Sequence, residues 1–226
     1  MACEISPADG KLLSAGGFAG VVFCGVATYG ILTRPGFDLQ RHAVSNLSLG
    51  EGGWTMVLAF ILSGALTLLC AIGLARVMHE GRGRRAIPIL VGLYGLGLII
   101  AGIFPAPAGY GFPAGTPEDQ LPVMTSSAII HSIAFMVAFS SLIVACFVAA
   151  LRLSGLPSFM ALVAGISMPL LVGLGMANVL APGVAFFVAA IVGWVWLGAV
   201  AMQIAGHSVE FGQAAVTAPV LTGADS

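Results

Sequence analysis

The chain has 226 residues, of which 59% are hydrophobic and only 8% charged. Soluble domains carry about 25% charged residues, so a water-exposed surface for a protein of this size is excluded. The net charge of −1 and the lack of a basic patch interleaved with aromatics exclude a nucleic-acid partner.

A mean hydropathy of +1.07 makes lipid the solvent for most of the chain. Residues 1–10 read as a polar, flexible lead. Lys11 opens the first apolar run, about 12–32, long enough for the roughly 20 helical residues that cross a bilayer core. Gly16 and Gly20 share one face, where another helix can approach closely. A polar stretch follows, and Trp54 starts the second span, about 54–77, with an indole suited to the water–lipid boundary. The connector His79-Glu-Gly-Arg-Gly-Arg-Arg85 is basic. The third span covers about 86–104, and a loop dense in proline and glycine continues to Pro122. The fourth span is about 123–151. Arg152 begins a tight turn into the fifth, about 157–180, which Pro169 is expected to kink. After Ala181-Pro-Gly183 the sixth span runs about 184–204.

Six uniformly apolar runs of this length predict helices rather than barrel strands, because each helix satisfies its own backbone in lipid. The expected fold is therefore all-α: a six-helix transmembrane bundle over 11–206, with a disordered tail over 207–226. Lys11, Arg76, Arg82, Arg84, Arg85 and Arg152 fall on one side of this arrangement, and Arg34 and Arg41 on the other. Short cytoplasmic loops are the basic ones, so both termini are expected in the cytoplasm and the protein in the cytoplasmic membrane. Of the four cysteines, Cys24, Cys70 and Cys146 lie in apolar runs and read as core, while Cys3 lies in the lead; no metal-type spacing is present.

The polar residues cluster between the first two spans. Asp38, His42 and Ser45 are spaced by four and three, so a helix there would place them on one stripe. A carboxylate could then orient an imidazole, and the imidazole could activate a hydroxyl. The plainer alternative is an interfacial helix with a wet polar side. His131, inside the fourth span, points to a bundle interior or a wet cavity, since ionisable groups in spans are rare. The topology puts it on the same side as His42, with His79 and His207 opposite. His42, His131 and Asp38 together form a donor set that suits zinc, although no local ligand spacing supports a metal site. Arg34 and Arg41 are candidates for holding a phosphate or carboxylate, or for pairing with Asp38 or Glu51. Asn178, near the end of the fifth span, is a further candidate for the same cavity.

Three motifs occur in order: Arg34-Pro-Gly-Phe-Asp38 leading into His42-Ala-Val-Ser45-Asn-Leu47 and Gly52-Gly-Trp54; Gly102-Ile-Phe104-Pro105; and His131. This pattern resembles the bacterial and archaeal membrane proteins grouped as the domain of unknown function 998 family, over roughly residues 15–205. The resemblance implies a six-helix membrane protein of uncharacterised function. The chain departs from the pattern where members often carry acids, holding Asn46 and Ala106-Pro107 instead. The leading expectation is an enzyme or binding protein acting on a lipid or amphipathic small molecule. His42 or His131 would be the base, with Asp38 and Ser45 beside it and Arg34, Arg41 and Asn178 binding the ligand. A small-solute transporter or channel, or a non-catalytic membrane partner, is the alternative. Membrane lipids are the expected surroundings, a homo-oligomer is possible, and no cofactor is indicated.

Overall fold

The computed structural model describes residues 6–216, with side chains to residue 204. The elements are α1 (Pro7–Thr33), a short 3-10 helix, η1 (Val44–Ser48), α2 (Trp54–Val77), α3 (Ala86–Ile103), α4 (Ser126–Arg152), α5 (Gly155–Met176) and α6 (Pro182–Val216). Six of the helices are long and apolar enough to cross a membrane. Their outer faces carry large exposed hydrophobics such as Phe18, Val21, Leu32 and Ile133. In water such faces would be unstable; in acyl chains they are ordinary.

Each helix packs on the next, and α6 closes on α1, so the six form a ring. Small residues set the crossings. A Cβ on Gly64 would lie 2.6 Å from the Gly95 carbonyl, and one on Gly95 would lie 2.8 Å from that of Gly64, so α2 and α3 meet backbone to backbone. Gly97 plays this part between α3 and α4, where a Cβ would come within 2.7 Å of Ala138. Gly16 lies against Cys70 of α2 and Gly20 against Trp194 of α6, as their shared face predicts.

Helix ends follow local chemistry. Ser6 caps α1 through a hydrogen bond from the Asp9 N–H, with Pro7 in the first turn. Thr125 caps α4 in the same way, accepting from Ala128 N–H, so this helix starts at Ser126 rather than near residue 123. Helix α5 runs through Pro169 and stops at Met176, before the expected 180. Asn178 takes a left-handed φ of 55° there, the conformation that ends helices and that asparagine tolerates. The backbone of α6 is helical to Val216; the last ten residues of the segment expected as a tail lie outside the described residues, as do Cys3 and the side chain of His207.

Two loop systems mark the two ends of the ring. At one end Arg76 lies 3.5 Å from the Asp9 carboxylate. Arg152 Nη1 there donates to the carbonyls of Glu80 and Arg82, clasping the α2–α3 connector to α4. At the other end the loop 34–53 meets the loop 104–125. Cys70 and Cys146 are buried in the core between the ends, as expected. Trp54 is exposed at the start of α2.

Candidate functional site

The two loops form a roof over the ring. Segment 38–43 is a turn, in which the Asp38 carbonyl accepts from the N–H groups of both Arg41 and His42. Ala43 is extended, and η1 follows. The helical stripe of Asp38, His42 and Ser45 therefore does not form. Asp38 turns its carboxylate to the Gln40 N–H, 2.9 Å away, as short aspartates do in turns. What reaches His42 from Asp38 is the backbone N–H, which donates to Nδ1 at 2.9 Å.

That bond fixes the tautomer. Nδ1 accepts, so Nε2 carries the proton and donates to the Tyr110 carbonyl at 2.9 Å. Both ring nitrogens of His42 are thus committed to backbone. The ring is buried and packs against Phe37 and Phe112. His42 pins one loop to the other and has no nitrogen left for a proton transfer.

Arg34 acts similarly. Its guanidinium donates to the Leu47 and Leu49 carbonyls at 3.1 and 2.5 Å and lies over the Phe112 ring. Asn46 Nδ2 donates to the Pro107 carbonyl and so ties the first loop to the second. Arg41 pairs with neither Asp38 nor Glu51 but with Glu118, 2.7 Å away, where both side chains are exposed.

Below the roof, inside the ring, is a cavity of about 460 Å³, within the range of small-molecule sites. Its upper part presents Arg41, Ser45, His131, Ser132 and Asn178. Around and below His131, whose ring lies 6.3 Å from that of Phe60, the lining is aromatic and aliphatic: Phe23, Phe60, Leu98, Phe135, Phe139 and Phe186, with Tyr94 among them. His42 contributes to the lining as well, so both predicted imidazoles border one space. Arg34 and Asp38 do not.

His131 is built differently from His42. Its Nδ1 lies 2.9 Å from two carbonyls, those of Ala101 and Phe104 at the end of α3. Two acceptors require that Nδ1 carry a proton, and in the neutral ring Nε2 then presents a lone pair. No group among the described residues hydrogen-bonds to Nε2. The Ser45 hydroxyl also lacks a partner among the described residues. Ser132 returns its hydroxyl to the Ala128 carbonyl. The side chain of Asn178, on the exposed rim, makes no hydrogen bond among the described residues either.

Among the described residues no three histidine, cysteine, aspartate or glutamate side chains gather as a metal site would need. The set of His42, His131 and Asp38 is not assembled, because the Asp38 carboxylate caps its own turn. The sequence reading overlooked Tyr94 and the phenylalanines of the depth. The available signal was that Tyr94 is the sole polar side chain within α3.

Residues 18–203 match the model of a family described as "Protein of unknown function (DUF998)". No curated protein and no solved structure matches the chain. The match covers most of the sequence, and the chain belongs to that family.

Proposed function

For a member of this family we propose a binding role: the cavity holds one single-chain amphiphile, its head at His131 and its tail among the phenylalanines. One observation carries this reading. A single cavity joins an unpartnered imidazole lone pair near its mouth to an apolar depth. The apolar depth receives an alkyl chain from acyl surroundings at little cost, so the head-group contact is what favours the site over the bilayer. The head group supplies an O–H or N–H to His131 Nε2. The ligand comes from the bilayer, entering beside Met136 of α4 and Met176 of α5, which line the cavity and are 51% and 63% exposed.

The test is equilibrium binding of a fluorescent long-chain alcohol to protein in nanodiscs. Wild type binds one per chain. His131→Asn keeps a donor for the α3 carbonyls but loses the Nε2 acceptor, and binds about tenfold more weakly, the worth of one hydrogen bond. Ala190→Phe, which fills the depth, also weakens binding. Unchanged affinity in both variants overturns the reading.

The unpartnered Ser45 hydroxyl in the same lining favours a second reading, in which His131 Nε2 takes the Ser45 proton, Ser45 Oγ attacks an ester carbonyl, the alcohol leaves with that proton, and water then releases the acyl group as its acid. Turnover of an ester lipid that persists in both His131→Asn and Ser45→Ala excludes it. In either reading the roofed end faces away from the cytoplasm, by the excess of Lys and Arg at the other end. Cysteines placed at Gly10 and Thr116 then react with impermeant maleimide on opposite sides of the cell membrane.

A further inference from the structure

The depth of the cavity contains one polar group that the binding reading does not use. Tyr94 lines the cavity, is 1% exposed, and its hydroxyl has no hydrogen-bond partner among the described residues. The N–H of Trp194, whose ring lies 5.2 Å from that of Tyr94, is also unpartnered but is sealed from any space. The Tyr94 hydroxyl is not sealed. With the residue shut away from the outside, the space left for that oxygen is the cavity.

A buried hydroxyl without a partner costs free energy, and an alkyl chain laid against it does not relieve that cost. Tyr94 precedes Ala101 by seven residues on α3, and the Ala101 carbonyl holds His131. At 1.5 Å per residue the separation along the helix is about 10 Å. Helical side chains lean toward the helix N-terminus, which for α3 is away from the roof, so the hydroxyl lies at least that far below the imidazole.

We infer that the amphiphile carries a second oxygen, a carbonyl, ether or hydroxyl, about 10 Å down its chain from the head group, and that the Tyr94 hydroxyl hydrogen-bonds to it. This rests on the binding role proposed above and narrows its ligand class to chain-oxygenated amphiphiles. An oxygen at this depth gains a partner that a plain chain lacks, and it relieves a group that is unpaired in the empty cavity.

Two probes of equal chain length test it: a long-chain alcohol, and the same alcohol with a keto group about 10 Å from the hydroxyl. Wild type binds the keto-alcohol about tenfold more tightly. Tyr94→Phe removes one oxygen and no carbon; it binds both probes alike. With a carbon-13 label in the keto group, the bound carbonyl stretch lies lower in wild type than in Tyr94→Phe, which reads the hydrogen bond directly. Equal binding of the two probes by wild type, or an unshifted carbonyl, overturns the inference and leaves the binding role standing. Failure of both probes to bind overturns the binding role and this inference with it.

Discussion

At the scale of single residues, the two histidines divide the labour that their types would let either perform. His42 accepts at Nδ1 and donates at Nε2, both to backbone. His42→Ala should leave the Asp38 N–H and the Tyr110 carbonyl unpaired, at about 1–3 kcal/mol each. The expected outcome is faster amide exchange in 38–46 and 108–112. Arg34 and Arg41 divide in the same manner. Arg34 makes two charge-assisted bonds to half-buried carbonyls, so Arg34→Ala should lower stability by about 3 kcal/mol. The exposed Arg41–Glu118 pair has a median worth below about 1 kcal/mol, so Arg41→Ala should barely move the thermal midpoint in detergent. His131 was legible in the sequence, because an ionisable group within an apolar span is conspicuous. The committed state of His42 was not. Its partner is a main-chain carbonyl 68 residues away, and every residue has a main-chain carbonyl.

At the scale of elements, the spans were readable because lipid demands about 20 apolar residues whatever their order. Where sequence and structure part is where local polar chemistry overrides hydropathy. Val123 and Met124 are apolar, yet α4 waits for the Thr125 cap; Val179 and Leu180 are apolar, yet α5 ends beforehand as Asn178 turns left-handed. The helix imagined over 38–45 failed for a similar reason, since the Asp38 side chain competes for its own backbone. Packing gives a sharper expectation. Gly64→Val drives a branched side chain into the Gly95 carbonyl and the α3 backbone near Ile99, and folded protein should fall severalfold by size-exclusion yield. Gly17→Ala meets nothing within 4 Å and should behave as wild type.

At the scale of the whole molecule, the ring is uneven. Helix α5 touches only α4 and α6 to any extent, and 28% of its apolar window is buried, against 50% for α2. It is the helix that can shift with least loss of packing, and it carries Met176 beside the cavity. A disulfide between cysteines at Met136 and Met176 should slow probe entry from the bilayer at least tenfold while leaving the thermal midpoint unchanged or raised. Composition and loop chemistry displayed the ring's parts, but not its hollow. That depends on which small residues, Gly97, Ala101, Ala138 and Ala190, line facing helices, and no periodicity in a uniformly apolar chain announces it.

The Arg152 clasp bears on what such a hollow permits. Toward the clasped end, Leu13, Leu74, Val91, Leu142 and Cys146 are buried in the core. In the binding reading the hollow is a blind socket rather than a duct, since its lining includes none of these five residues. On that reading a guest would leave by the way it came, and the barrier to ions would stay intact whether the socket is full or empty. Planar bilayers containing the protein should therefore show baseline conductance, with or without the alcohol.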